Sequence, residues 1–497
     1  MVADVEHADV VIVGARLAGM ATAIPLARGG LKVVAVDKAR FPSDTMSTHA
    51  MVPSAVQELL LLGALDRVLN LDPSRSHYLA VHEDGLRFRE RFHPFHGIDY
   101  GLCIPRDLLD IQLVETARAA GVDVREKAAL ESVVFEGGRA AGIRYRAGGE
   151  VREIRASVVV GADGRKSRTA AELGVWEPYR GSKNGRGFAY RYIDDPRGLD
   201  TDEYGLYRFG KTVALALPAC PRGRAIAVLM CDASEIPAFR ADPEGMWQAK
   251  LDADTAWANR VGGAANMSPV RSTDDLSSFY RASSGQGWAL VGDAGHFKDP
   301  VTGNGQRDAL KHGRLLGEAI VVAIKDPATL DAALRKWEFQ RDRDTVSTYH
   351  WGNRETRPNP STPLVKQVLA GFANNPAEEP RFSNTFNRVK PIENTIHPIL
   401  LGKALVRAMC TRGVSPLSVV REAAAAVPEE IDLRRHRLWE GFRSTRQFST
   451  ENQGWTVGRP PKTSVGANVV VPALAADQPA KSTTSIASGG STSDDSS

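Results

Sequence analysis

The hydrophobic positions change period several times along the chain, and each change marks an element. Residues 9–13, Asp-Val-Val-Ile-Val, are almost wholly apolar, as a strand buried on both faces of a parallel sheet must be. A helical stretch runs on to Arg28, Gly29 and Gly30 stop it, and residues 31–36 form a second apolar strand. This is a βαβ opening. A polar loop over 41–49 leads into a helix to about residue 65. Residues 102–105 read as a short strand and 106–120 as a helix. Between 122 and 154 apolar and polar residues alternate, and Gly137-Gly138 and Gly148-Gly149 interrupt them, which predicts a β-meander of two hairpins. Residues 157–160 form another buried strand, and 289–291 a further one that ends at Gly292. From about 178 to 280 the parallel-sheet rhythm is lost. Strands over 188–193, 204–209, 212–217 and 225–230 predict an antiparallel sheet, with a helix over 241–259. A long helix over 304–325 has apolar Leu310, Leu316, Ile320 and Ile324 against polar Lys311, Arg314 and Glu318. Another follows over 330–349, the prolines Pro358, Pro360 and Pro363 break it, and 364–372, 399–409 and 417–426 are helical.

The predicted fold is therefore α/β: a Rossmann-like parallel sheet with a β-meander, an antiparallel-sheet domain and a mostly helical C-terminal region. A chain of 497 residues exceeds one ordinary core. The divisions expected are 1–177 with 281–350 as a nucleotide-binding domain, 178–280 as a substrate domain, and 351–457 as the helical region. Beyond 458 the Ser, Thr, Ala, Gly and Pro content cannot bury enough apolar surface to order a tail. A net charge of +4 is a near balance that permits anionic ligands but does not argue for nucleic acid. The four cysteines lie far apart without metal-ligand spacing, so they are expected to be reduced thiols, and no metal site is expected. No basic-then-apolar leader precedes the first strand, and no apolar run approaches the roughly 18–20 residues of a membrane span, so a cytoplasmic location is expected.

The candidate chemistry sits at strand ends. Gly14-Ala15-Arg16-Leu17-Ala18-Gly19 joins the first strand to its helix, and Asp37, with Lys38 beside it, ends the second strand roughly twenty residues on. That is the dinucleotide layout, with the helix end placed for a pyrophosphate and the acid for a ribose. Arg16 occupies the middle glycine position, so its guanidinium must swing away or touch the phosphates itself. Asp163-Gly164 follows the strand over 157–160, with Arg165, Lys166 and Arg168 as charges for phosphates. Asp293 stands at the tip of another strand, where open α/β sheets bind ligands, and a loop through Pro300 reaches Gly303-Asn304-Gly305 at a helix start. The free N–H groups there suit a ligand that gains negative charge.

Gly-Asp-Ala, then Asp-Pro, then Gly-Asn-Gly over 292–305 resembles a flavin motif of the FAD-dependent monooxygenase superfamily, aromatic-hydroxylase type, with geranylgeranyl-reductase-like enzymes and flavin halogenases as relatives. Gly-Ala-Asp-Gly over 161–164 is similar to that superfamily's Asp-Gly motif, and the three motifs span residues 10–320 in order. The resemblance implies FAD, with Asp293 on the ribityl chain, Pro300 beside the ring and the backbone of 303–305 at the flavin carbonyl. Ser47, Thr48 and Arg106 become cofactor contacts, and His49 a catalytic candidate able to tune flavin protonation, since imidazole titrates near neutrality. It also implies NAD(P)H as a transient donor, O2 and a small organic substrate as partners, and oxygen delivery through a flavin hydroperoxide. No second nicotinamide βαβ unit is visible. The alternatives are reduction of isoprenoid double bonds, or a flavin-binding protein without turnover. A halogenase is disfavoured, because residues 213–218 read Val-Ala-Leu-Ala-Leu-Pro where a Trp-x-Trp-x-Ile-Pro element would stand. Tyr190, Arg191, Tyr192 and Tyr207 are equal candidates to line the substrate pocket.

Overall fold

Apolar strands that are buried on both faces assemble the first sheet. A computed structural model describes residues 5–195, 202–374, 381–389, 395, 398–438 and 463. The strand Glu6–Val13 is central, with Glu150–Gly161 on one side and Val33–Val36 on the other, all parallel. Asp123–Arg125 and Trp288–Leu290 extend the two flanks, also in parallel. The two meander strands, Ala128–Glu136 and Arg139–Ala147, fold back antiparallel from this sheet. The expected break near residues 155–156 is absent. Glu150–Gly161 is one strand whose first half pairs with the meander and whose second half pairs with Glu6–Val13. Its polar start is solvated, whereas Val158, Val159 and Val160 are fully buried, so one strand passes from half-covered to two-sided packing.

The second sheet has seven strands in the order Arg271–Thr273, Arg186–Asp194, Arg224–Asp232, Thr212–Ala219, Glu203–Phe209, Tyr78–Glu83, Leu86–Arg91. It is not confined to 178–280, because Tyr78–Glu83 pairs in parallel with Glu203–Phe209 and carries Leu86–Arg91 beyond it. Leu86–Arg91 turns only Phe88 and Glu90 inward, too weak an apolar signal to read as a strand. One face of this sheet packs Val81, Phe88, Phe188, Tyr190 and Leu206 against Leu369 and Phe372 of the helix Pro363–Asn374. The other face is covered from Trp247, Trp257 and Val261. The helix expected over 241–259 is two, Pro243–Asp252 and Thr255–Val261, because Asp254 accepts a bond from the Trp257 N–H at 2.7 Å and caps a new start.

The helix expected to continue to residue 65 is likewise broken. Ala50–Met51 pairs with Leu102–Cys103, Pro53 starts the helix Pro53–Leu61, and Leu65–Leu69 follows after Gly63. The helix Gly305–Ala323 lies tightly on Leu17–Arg28, since a Cβ at Gly317 would meet the Thr22 carbonyl at 2.5 Å. Arg106–Ala119, Pro327–Glu355, Pro398–Met409 and Pro416–Leu438 are the longer of the other described helices, and no described helix is long and apolar enough to cross a membrane. The tail expected over 458–497 lies outside the described residues, Thr463 excepted.

Candidate active site

The ends of the parallel strands and the starts of two helices enclose a cavity of about 760 Å³. It reaches from Asp37, Lys38 and Ala129 at one end to Asp293, Pro300 and Gly305 at the other. Backbone geometry makes the first turn. Gly14 has φ +107°, and a Cβ there would stand 2.4 Å from the Ala162 carbonyl oxygen. At Gly19 a Cβ would lie 1.9 Å from the Gly14 carbonyl, so only glycine lets the helix begin this close to the strand. Arg16, the residue before Leu17–Arg28, provides no side-chain cap, and neither does Asn304 before Gly305–Ala323. Two helix N-termini therefore bring uncapped N–H groups to one cavity, the arrangement that holds anionic groups. The side chains agree in sign: Arg16, Lys38, Arg106, Arg165, Lys166, Arg168 and Lys298 line the wall against Asp37, Asp163 and Asp293.

The three acids differ in how they are satisfied. Asp37 accepts the Ala15 N–H at 2.8 Å and the Ala39 N–H at 2.8 Å, so it holds the glycine turn while facing the cavity. Asp163 is a brace: it accepts Ser167 Oγ at 2.5 Å, Thr169 N at 2.9 Å and Thr169 Oγ1 at 3.0 Å. Burial pushes the Asp163 carboxyl above its usual range against those bonds. Asp293 accepts no protein hydrogen bond among the described residues, and burial raises its pKa against the attraction of Arg165, Arg106 and Lys298. A half-buried carboxylate turned to a cavity with no protein donor awaits ligand hydroxyls.

Arg16 swings away from the helix end. Its guanidinium donates to Asp110 at 2.5 Å, to the Ser43 carbonyl and Oγ at 2.9 Å each, and to the Asp44 carbonyl at 3.3 Å. Asp110 is fully buried and also accepts Arg106 Nε at 2.8 Å, so Arg16 and Arg106 share one acid and pin the loop over 43–44 to the cavity rim. That shared acid was not singled out from sequence, because Asp110 looks like any helix carboxylate. At the other end the loop after Asp293 is built stepwise. Asp299 accepts the Val301 N–H at 3.0 Å, Pro300 starts a short turn, and Gly303 ends it at φ +62°. Burial pushes Asp299 up to about 6.

Of the candidate residues, Gly14, Arg16, Leu17, Ala18, Asp37, Lys38, Ser47, Thr48, Arg106, Asp163, Gly164, Asp293, Pro300, Gly303 and Gly305 border this one cavity. Ala15, Gly19, His49 and Asn304 do not. Asn304 braces the loop by donating to the Thr302 carbonyl at 2.6 Å. His49 departs most from expectation. It is fully buried in the left-handed region at φ +60°, and its Nε2 lies 3.0 Å from Tyr192 Oη. Burial, aided by the Arg106 charge, pushes its pKa down to about 3, so the ring is neutral and does not titrate near neutrality. Meander residues Ala128, Ala129 and Leu130, and Phe188, Leu276 and Gln306, also line the wall without any motif to announce them.

The substrate-side candidates separate by strand periodicity. Phe188, Tyr190 and Tyr192 share one face of Arg186–Asp194, and Phe188 borders the cavity. The His49 ring lies 5.7 Å from Tyr190 and 5.6 Å from Tyr192. Arg191 points to the opposite face and pairs with Glu244 at 2.7 Å, and Tyr207 packs on Trp257 at 5.5 Å. Those two stand outside the site.

The chain is 25% identical over 369 residues to digeranylgeranylglycerophospholipid reductase 1 of Methanopyrus kandleri, covering 72% of this chain and 92% of that one. Its fold matches a myxobacterial chondrochloren halogenase with a TM-score of 0.63 at 18% identity, over 80% of this chain and 97% of that one. It also matches PqsL of Pseudomonas aeruginosa, described as a probable FAD-dependent monooxygenase, with a TM-score of 0.58 at 21% identity, over 77% and 100%. The FAD binding domain family matches residues 7–341, which takes in the glycine turn, both Asp motifs and the cavity helix, and the chain belongs to that family of FAD-dependent oxidoreductases.

Proposed function

We propose that the protein is a monooxygenase that takes electrons from NAD(P)H and uses O2 to hydroxylate or epoxidise a small organic substrate. Bound FAD supplies the electron transfer and the oxygen chemistry, and the chain supplies position, charge and exclusion of water. The N-terminus of Leu17–Arg28 would hold the pyrophosphate, Asp37 the ribose and Asp293 the ribityl hydroxyls, with the start of Gly305–Ala323 at the ring. Phe188, Leu276 and Phe297 give the cavity an apolar wall that keeps water out.

The observation that carries the reading is the row Phe188, Tyr190, Tyr192 leading off the cavity wall, with His49 behind it. A half-buried phenol hydrogen-bonded to a neutral imidazole orients a polar substrate; it is ill suited to a purely hydrocarbon one. His49 then acts as a positioning residue for Tyr192 rather than as a proton store. Arg165 and Lys166 border the cavity, with Asp275 3.4 Å from each, and are placed for the phosphates of a donor that docks transiently.

A second reading, reduction of an isoprenoid double bond, is favoured by the match to digeranylgeranylglycerophospholipid reductase 1 along 92% of that relative's length. Absorbance spectra of the purified protein separate the two. Bleaching by NAD(P)H without air, then a transient near-ultraviolet species on admitting O2, supports the monooxygenase. Slow reoxidation with no such species supports the reductase, and flavin that NAD(P)H never bleaches overturns both.

A further inference from the structure

Beneath the first turns of Gly305–Ala323 lies a buried set of charges that the cavity's motifs do not account for. Lys298 borders the cavity with only 2% of its side chain exposed. Its ammonium pairs with Asp308 and donates to Thr348 Oγ1 at 3.2 Å. Asp308 also accepts Arg307 at 2.8 Å, and Arg307 reaches Asp344 at 2.7 Å. Asp344 further pairs with Lys311 at 3.1 Å and with Arg388 at 3.4 Å. Four cations thus surround two carboxylates. His296 and His312 stand at the same place but burial lowers both, His296 to about 3, so they add no charge. Counting Asp293 as ionised still leaves one positive charge in excess. Lys311 and Asp344 keep 27% of their side chains exposed, so water screens the far side of the set, whereas Lys298, buried and bordering the cavity, is the cation placed to meet an anion in the ligand. The convergence of Asp308, His312 and Asp344 within 4.8 Å does not change this, because the cations already occupy those carboxylates.

We propose that Lys298 is the residue through which this network acts on the flavin. Its ammonium, fixed by Asp308 and Thr348 where the wall meets the N-terminus of Gly305–Ala323, stabilises the negative charge that the flavin ring gains on two-electron reduction. It thereby favours reduced over oxidised FAD. The helix end alone offers only partial charge, about half an elementary charge, that falls off within its first turn. Lys298 adds a full charge in a setting where water screens it little. The inference rests on reading the cavity as the flavin site, and FAD binding by the wild-type protein tests that reading first.

The experiment is the midpoint potential of bound FAD, by dye equilibration under anaerobic conditions, in wild type, Lys298→Met and Lys298→Arg. Lys298→Met should lower the ratio of reduced- to oxidised-flavin affinity tenfold or more, which is a fall of about 30 mV for a two-electron couple. Lys298→Arg keeps the charge and should hold the potential near wild type. Because Lys298→Met leaves Asp308 without its ammonium, Lys298→Gln, which removes the charge but keeps an N–H donor for Asp308, serves if the methionine variant does not fold. A potential unchanged in the methionine variant that binds FAD, or in the glutamine variant in its place, overturns the proposal. So does an equal fall in methionine and arginine variants, which marks a packing effect.

Discussion

The free carboxylate of Asp293 makes a prediction with two opposite signs. None of the described residues donates to it, yet it is partly withdrawn from water and its pKa is raised. In the apoprotein an ionised Asp293 is therefore a burden. Its folded pKa exceeds its unfolded one, so the folded chain binds the proton more tightly, and stability falls as pH rises out of the carboxylate range. Asp293→Ala relieves that burden, and because the side chain opens on the cavity the change leaves no core void. The apoprotein of the variant should unfold at the same temperature as wild-type apoprotein at neutral pH, or higher. The difference should vanish as pH falls into the ordinary carboxylate range. Flavin affinity moves the other way. One hydrogen bond to a charged acceptor is worth about 1.5–3 kcal/mol, so FAD should bind roughly 10- to 150-fold more weakly. Fluorescence titration of FAD into apoprotein and thermal scans across pH read the two quantities. A variant that keeps its flavin affinity, or whose apoprotein is clearly less stable, would show that the carboxylate belongs to the scaffold.

Three other outcomes follow from the geometry. Gly14→Ala forces φ +107° on a Cβ 2.4 Å from the Ala162 carbonyl, so it should destabilise by more than the roughly 1–2 kcal/mol of left-handed backbone alone, read as a lower urea midpoint. Arg16→Ala removes the clamp on residues 43–44 and leaves Asp110 to Arg106; hydrogen exchange over 41–49 should accelerate, with flavin affinity falling less than in Asp293→Ala. Equal losses in the two variants would restore a phosphate role to Arg16. His49 is folded with a pKa near 3, below its ordinary 6.5, so the unfolded chain binds more protons between those values and stability drains as pH falls through that window. His49→Gln should flatten that slope by about 1.4 kcal/mol per pH unit, and an unaltered slope in urea melts at pH 4 to 6 would contradict the buried neutral ring.

How much of this was legible in sequence depends on whether one segment carried the whole signal. Gly14, Gly19 and Asp37 were, because turn, helix start and acid lie on one βαβ unit and a Cβ test explains both glycines. The strand tip at Asp293 and the loop to Gly305 were, for the same reason. What depended on partners far along the chain was hidden. Arg16 stood next to the expected pyrophosphate, but its guanidinium is claimed by Asp110, 94 residues away. His49 looked like a neutral-range titrator, yet Tyr192 and the sheet bury it 143 residues on. Periodicity alone separates Tyr190 and Tyr192 from Arg191 on one strand and leaves Tyr207 on another unplaced; only the packed sheet says which parity faces the cavity.

The same distinction sorts the two remaining motif acids, and a last variant tests it. Asp163 and Asp293 both end parallel strands and both border the cavity, so as sequence they look equivalent. Their partners make them opposites. Asp163 holds Ser167 Oγ, Thr169 N and Thr169 Oγ1, and Ser167 in turn accepts the Ala170 N–H at 2.8 Å to cap the helix Arg168–Glu172. Asp163→Ala strands these groups, of which Ser167 and Thr169 are fully buried, at about 1–3 kcal/mol for each donor left unmade. The apoprotein of Asp163→Ala should therefore lose stability while that of Asp293→Ala does not. Once folded at low temperature, Asp163→Ala should lose less flavin affinity than Asp293→Ala. Reversed rankings in urea melts and flavin titrations would mean that Asp163 addresses the ligand and Asp293 holds the scaffold, and the reading of the cavity would have to be turned end for end.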